Sequence, residues 1–305
     1  MKLFFLIVVC LTAVDRLCSQ TEPNGMFDLV PEWRQGQVFN YDFAYSIADQ
    51  EKGKKTLKKE TFKVRMIVED SSAKGYRLRW QESGRKYWHR HKPIERYIAE
   101  FKEENPIVYN CSREGKLLQI FNWEALRASA FSFQKGIKPD SVAQFFTEYV
   151  RRYLTPEEMS SSWVLAIKMY HYLLGNEFFK KINSPVKTQK LYPNPYSRGW
   201  LTGSQEVTIS VYDEESDLLQ ISIVSALSHQ SSRLEFNKLV KENPEFVKNI
   251  LGMSSLSDIP KYGITEELNC LIRISDGVIL EGDYKRFTEN REATTTEQIE
   301  FTLVN

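Results

Sequence analysis

The chain has 305 residues, with 41 lysines and arginines, 40 aspartates and glutamates, and 42% hydrophobic residues. These fractions are ordinary for a globular protein and exclude wholesale disorder. The near balance of charge excludes the concentrated basic field that nucleic-acid binding requires, so we expect no nucleic-acid partner. The chain has four cysteines, too few for a disulfide-dense scaffold.

Residues 1–19 have the pattern of a secretory signal peptide. A largely apolar stretch at 3–14 follows Lys2 and is too short for a membrane-spanning helix, which needs ~20 apolar residues. We therefore expect cleavage after Ser19, a secreted or periplasmic location, and one domain at 20–305 without a transmembrane segment. A lipoprotein and an uncleaved anchor are the alternatives.

Removal of this leader would leave Cys111 and Cys270 as the remaining cysteines. In an oxidising compartment they form either one disulfide or two buried thiols. Both alternatives stay open, because the sequence does not give the Cα separation that a disulfide requires.

The first part of the mature chain alternates apolar and polar residues with a period of two, which is typical of half-buried strands. The polar segment 49–60, rich in lysine, is expected to be the loop of the first hairpin. Successive strands of this kind predict an antiparallel meander. The predicted strands cover residues 37–46, 61–68, 76–81, 107–109 and 116–121.

The period then changes to that of helices, which predicts a helical insert at 122–175. Residues 184–204 contain three prolines and two glycines and are expected to form a long loop rich in proline and aromatic residues. Further strands are predicted on either side of a helical segment at 231–251. They cover residues 206–212, 218–224, 267–274, 278–287 and 295–304. Alternating runs of strands and helices indicate an α+β fold with antiparallel pairing.

Several patterns of catalytic and metal-binding chemistry can be tested. His89 and His91 would share one face of a strand and are weak metal candidates, but two histidines are too few for a zinc site. His171 or His229 could serve as a general base, yet no nucleophile motif pairs with either. Glycine-rich phosphate-binding motifs are also missing from the sequence. We therefore predict no catalytic residue, no metal and no cofactor.

The loop at 184–204 combines aromatic rings and arginine on a backbone stiffened by proline, which suits ligand recognition. The candidate ligand-binding residues there are Tyr192, Tyr196, Arg198 and Trp200. Tyr41 and Trp80, on predicted strand faces, would line a core or a ligand cavity. For the loop, the alternative is that its rings simply cover the sheet.

The layout resembles a broad group of uncharacterised secreted and periplasmic proteins of Bacteroidota-type bacteria, a group of domains of unknown function. The motifs are Cys18-Ser19-Gln20, the aromatic strand entry Gly36–Tyr41, the strand-to-helix segment Gly115–Glu124 and the turn Ser275-Asp276-Gly277. This resemblance implies a curved, half-barrel-like antiparallel sheet covered by helices, similar to lipoprotein carriers. It implies no catalytic residues.

Three functions follow. The first is a secreted or periplasmic, non-catalytic binding or accessory protein for an apolar or lipid-like ligand. The second is an envelope structural module, or one that interacts with an envelope protein, with a fully packed core. The third is an unrecognised hydrolase. A cavity between sheet and helices would favour the first, and convergent histidine and carboxylate groups in a cleft would favour the third.

Overall fold

One open antiparallel sheet of eleven strands dominates the structure. The computed structural model describes residues 25–51, 53–88, 93–153, 164–179, 182–193, 200–228, 262–290 and 293–304, with isolated positions between 230 and 241. The strands are β1 (Met26–Asp28), β2 (Val38–Glu51), β3 (Lys54–Ser72), β4 (Gly75–Trp88), β5 (Ile107–Cys111), β6 (Leu117–Ile120), β7 (Glu177–Phe179), β8 (Val186–Pro193), β9 (Trp200–Asp213), β10 (Leu218–Leu227), β11 (Tyr262–Arg273), β12 (Val278–Asn290) and β13 (Ala293–Val304). The strand order in the large sheet is β6-β5-β4-β3-β2-β13-β12-β11-β10-β9-β8, and β1 pairs with β7 in a separate small sheet.

The sheet consists of two meanders, β2 to β6 and β8 to β13. They are joined by pairing between β2 and β13, which runs from Asn40 opposite Val304 to Glu51 opposite Ala293. This pairing makes one continuous sheet from two regions that are far apart in the sequence. The prediction of a mostly antiparallel sheet is confirmed.

Four α-helices are present in the described residues: α1 (Pro93–Glu104), α2 (Trp123–Phe133), α3 (Asp140–Tyr153) and α4 (Leu165–His171). Three of them lie in the predicted helical insert, where a 3₁₀ turn, Gln134–Gly136, follows α2. The sequence pattern did not predict α1. The fold is therefore more sheet-dominated than the expected sheet covered by helices.

The helices pack on one face of the sheet, which we call the inner face. Alternation places the aromatic residues of β2 on this face, and Tyr41 and Phe43 are both buried there. Phe43 stacks on Phe301 of β13 at 5.1 Å between ring centroids, so the core crosses the junction of the two meanders. Tyr170 of α4 packs edge-on against Tyr41 at 5.4 Å. Aromatic packing of this kind fills the middle of the inner face.

Two segments predicted as loops form strands. Residues 186–193 form β8, and β9 begins at Trp200, inside the predicted loop 184–204. Pro185 precedes β8 and Pro193 ends it, and prolines have no backbone N–H to donate. Because β8 is an edge strand, few hydrogen bonds of the sheet are lost. The lysine-rich segment 49–60 is the paired end of β2 and β3, with Glu51 opposite Lys54. There, cross-strand pairing outweighs the low strand propensity of lysine.

Several predictions concern residues outside the described part of the chain. These are the leader at 1–19, His89, His91, His229, Tyr196, Arg198 and most of the helical segment at 231–251.

Gly282 provides a test of the junction between the two meanders. It lies directly opposite Phe301, and a Cβ at this position would overlap the Phe301 ring. Because that ring is held between buried neighbours, we expect Gly282→Ala to lower the free energy of unfolding by roughly 1–3 kcal/mol. Urea denaturation measures this change.

Gly136→Ala is the matched control, because a Cβ there meets no atom within 4 Å. Its unfolding free energy should change by less than about 0.5 kcal/mol. Equal effects of the two variants would contradict the packing that we describe around Phe301.

Candidate ligand-binding cleft

A cleft of about 360 Å³ lies on the inner face of the second meander. Its floor is aliphatic and comes from three neighbouring strands: Val186 of β8, Val207 and Ile209 of β9, and Ile223 of β10. The segment from Tyr172 to Phe178, which follows α4, forms its opposite wall. The volume is at the lower end of the range for small-molecule sites, ~300–1,000 Å³.

Strand register explains why the cleft has an apolar floor and a polar end. Residues that are directly opposite each other on successive antiparallel strands form rows across the sheet. One row is apolar and contributes the floor. Its members are Val186, Val207, Ile223, Leu268, Tyr284 and Ile299.

The next row on the same face is polar, and we call it the polar row. It crosses six consecutive strands, β8, β9, β10, β11, β12 and β13. Its members are Thr188, Gln205, Ser225, Glu266, Arg286 and Glu297. Thr188 and Gln205 also line the cleft, so the polar row forms one end of it.

Hydrogen bonds connect the polar row to Tyr172 on the opposite wall. The Gln205 amide Nε2 donates to Tyr172 Oη at 2.8 Å and to Ser225 Oγ at 3.3 Å. Thr188 Oγ1 donates to Gln205 Oε1 at 3.3 Å. Lys190 Nζ also donates to Tyr172 Oη, at 3.0 Å. The Tyr172 hydroxyl oxygen therefore accepts two hydrogen bonds.

Lys190 and Glu266 form an ion pair at the end of the cleft, with Lys190 Nζ 2.7 Å from Glu266 Oε2. Burial alone would lower the pKa of Lys190, but Tyr172 and Glu266 outweigh it and hold that pKa above its usual value. Burial alone would raise the pKa of Glu266, but Lys190 and further donors outweigh it and hold that pKa low. Both groups are therefore charged at neutral pH.

Of the predicted recognition residues of 184–204, Tyr192 and Trp200 lie in the described part of the chain, and these two do not share a site. Tyr192 is only 3% exposed and packs with Leu201, Leu227 and Ile264 in a small second core. Its hydroxyl is buried and has no hydrogen-bond partner in the described residues. Trp200 is 64% exposed, and neither ring lines the cleft.

Tyr41 and Trp80 lie in the packed core and do not line the cleft. Each is 1% exposed. The Tyr41 hydroxyl donates to the Ile279 carbonyl at 3.0 Å, and the Trp80 ring packs edge-on against Phe43 at 5.4 Å. Of the two possibilities for these residues, core or ligand cavity, the structure shows the core.

The structure brings Cys111 and His171 together, although no sequence motif paired them. Cys111 Sγ is 3.8 Å from His171 Nδ1, and both residues are buried. Tyr109 Oη lies 3.0 Å from His171 Nε2, while His171 Nδ1 donates to the Gly115 carbonyl at 2.7 Å. The imidazole is thus neutral, with its proton on Nδ1.

This pair cannot form the ion pair that a cysteine nucleophile requires. Burial raises the pKa of the Cys111 thiol and lowers the pKa of His171 to about 4, so both groups are neutral. His171 therefore acts as a hydrogen-bonded core residue that connects α4 to the β5–β6 turn.

Of the two alternatives for Cys111 and Cys270, the structure has two buried free thiols and not a disulfide. Cys111 ends β5 and Cys270 is in β11, and five strands of the sheet lie between them. Neighbouring strands are ~4.8 Å apart, whereas a disulfide needs Cα atoms within ~4.4–6.8 Å. The register that builds the sheet therefore keeps the thiols apart.

In the described part of the chain, no group of three or more His, Cys, Asp or Glu side chains could hold a metal ion. Within the same residues, no helix has the length and apolar character needed to cross a membrane.

Sequence reasoning missed the polar side chains at the end of the cleft. Residues 186–193 carry polar side chains at both even and odd positions, so no apolar alternation marks β8 in the sequence. The prolines and glycines around this segment indicate a loop instead. Gln205 and Glu266 lie on either side of Ser225 only because of the cross-strand register, which a single sequence does not specify.

A comparison with protein-family models finds no match, and a comparison with curated proteins finds none either. A search of solved structures finds a similarity to a lipovitellin structure described as showing lipid–protein interactions. The TM-score is 0.45 and the sequence identity is 9%. The similarity covers 90% of this chain but 26% of the lipovitellin chain, so this chain spans about a quarter of that length.

The buried His171 should make the free energy of unfolding of the protein sensitive to acid. Its pKa is about 4 in the folded protein and ~6.5 in an unfolded chain. Between these values the unfolded state binds a proton that the folded state does not, so stability is lost as the pH falls from about 6.5 to 4. We expect this one residue to contribute a loss of about 3 kcal/mol, measured by urea denaturation across that range.

His171→Gln should remove this component, so its unfolding free energy should fall less steeply between pH 6.5 and 4. Carboxylates titrate in both proteins, so the difference between the two slopes is the readout. Parallel slopes would argue against a neutral, buried His171.

Proposed function

We propose that this protein is an exported, non-catalytic binding protein that holds a small amphipathic, lipid-like molecule in the cleft. The observation that supports this proposal is the division of the cleft into an aliphatic floor and a hydrogen-bonding end. A molecule with an apolar chain and a polar head would match both parts.

The aliphatic floor would supply most of the favourable binding free energy, and the polar end would orient the ligand. Val186, Val207, Ile209 and Ile223 would cover an apolar chain, and each buried CH₂ group contributes ~0.8 kcal/mol. The hydrogen-bonding groups around Tyr172 and Gln205 cannot be covered by a purely apolar molecule without cost, because buried polar groups need partners. These two demands together favour an amphipathic ligand.

Blocking the floor tests the proposal. Val207 is partly exposed in the cleft, and Val207→Trp would fill the space that a chain would occupy. We expect this variant to lose at least tenfold in affinity for a twelve-carbon amphiphile, measured by isothermal titration calorimetry. Native mass spectrometry of protein from its host would show whether a lipid co-purifies.

Val224→Trp is the matched control. Val224 lies next to Ile223 in β10 but is 40% exposed and does not line the cleft. This variant should bind like the unaltered protein. If the unaltered protein bound no amphiphile and carried none from its host, the proposal would fail and the envelope interaction module would be favoured.

The export part of the proposal rests on the leader at 1–19. We expect the intact mass of the mature protein to correspond to a chain that starts at Gln20. Val8→Arg would interrupt the apolar stretch, so the unprocessed chain should accumulate inside the cell. Release of Val8→Arg at an unchanged level and mass would contradict export through this leader.

A further inference from the structure

The polar end of the cleft indicates which head group the ligand carries, and this inference rests on the proposed function. We infer that the ligand's head is an uncharged hydrogen-bond acceptor, such as an acyl ester or amide carbonyl, and that the Tyr172 hydroxyl donates to it. Two features of the structure lead to this conclusion: the hydrogen bonds of Tyr172 and the charge balance of the side chains around it.

The first feature is the hydrogen bonding of Tyr172. A phenol hydroxyl has one donor and two acceptor positions. The Tyr172 oxygen already accepts from Lys190 Nζ at 3.0 Å and from Gln205 Nε2 at 2.8 Å. Within the described ranges, nothing accepts the hydroxyl proton. A hydroxyl that accepts from an ammonium group is polarised by it and is a better donor to a further acceptor.

The position of Tyr172 gives this donor access to the ligand. Tyr172 lines both the cleft and a smaller cavity that contacts Lys190, Glu266 and Tyr284. Its hydroxyl thus lies where the aliphatic floor meets the polar end. An acceptor atom on the ligand would complete the hydrogen bonding of this group.

The second feature is the balance of charge around the hydroxyl. Lys190 pairs with Glu266, and Arg286 Nε is 3.9 Å from the same carboxylate without a hydrogen bond to it. Glu297 lies directly across from Arg286 in the polar row. The two cations on this face, Lys190 and Arg286, are thus matched in number by Glu266 and Glu297.

Charge balance makes an anionic head unfavourable here. A carboxylate or phosphate would lose its hydration without gaining an unpaired cation, and burying a charge without a partner is costly. An ester or amide carbonyl loses far less hydration and still accepts the hydrogen bond from Tyr172. The arrangement therefore fits a neutral acyl derivative better than a free fatty acid.

Calorimetry with three probes of equal chain length would test this inference. The probes are 1-monolauroylglycerol, laurate and dodecyltrimethylammonium, all measured at pH 8, where laurate is ionised. We expect monolauroylglycerol to bind at least tenfold more tightly than either charged probe. Tyr172→Phe should weaken monolauroylglycerol binding about tenfold and leave the affinities of the charged probes nearly unchanged.

Tyr192→Phe is the matched control. It also removes one buried tyrosine hydroxyl close to Lys190, but that hydroxyl has no partner in the described residues and the ring does not line the cleft. Its affinity for monolauroylglycerol should be unchanged. Circular dichroism melts of both variants would show that each is folded.

The outcomes separate this inference from the proposed function. Tighter binding of laurate, or equal losses in Tyr172→Phe and Tyr192→Phe, would overturn the inference. If Val207→Trp still abolished binding in that case, the proposed function would stand. Failure of all three probes to bind the unaltered protein would overturn both.

Discussion

The pairing of β2 with β13 is the constraint on which the rest of the structure depends. It joins two meanders that would otherwise each end in an open edge, and it places Phe301 against Phe43 in one shared core. Because side chains alternate between the faces of a strand, a shift of one residue here would turn the aromatic face of β13 away from the helices. The burial of these rings therefore fixes the register as strongly as the backbone hydrogen bonds do.

The same register builds the cleft. The apolar row and the polar row exist only because the register is continuous across six strands. Between β8 and β9, for example, it places Val186 opposite Val207 and Thr188 opposite Gln205. Burying the ion pair of Lys190 and Glu266 costs desolvation, so it is weak support for stability by itself. The ion pair instead positions Tyr172, because Lys190 Nζ donates a hydrogen bond to the Tyr172 hydroxyl at the end of the cleft.

The sequence predicts those parts of this fold that depend on local periodicity. The alternation in 37–46 and the helical spacing of 140–153 correspond closely to β2 and α3. The prediction from sequence fails where strand pairing forms despite residues of low strand propensity. Examples are β8, which lies between prolines, and the lysine-rich ends of β2 and β3. The cleft depends on the cross-strand register of β8, β9 and β10 and on the segment that follows α4, neither of which local periodicity specifies. Of the residues predicted to bind a ligand, none within the described ranges lines it. Aromatic residues in the sequence suggested ligand recognition, but most of those in the described residues pack in the core.

The two free thiols constrain the order of events in an oxidising compartment. In the folded protein Cys111 and Cys270 are buried, and burial raises the pKa of both thiols, so the reactive thiolate is almost absent. In an unfolded chain both are accessible and free to oxidise with each other. A bond formed at that stage would hold β5 beside β11, which the strand order forbids. Secretion would therefore favour rapid folding, because the native core protects the chain from a covalent error that it could not repair unaided.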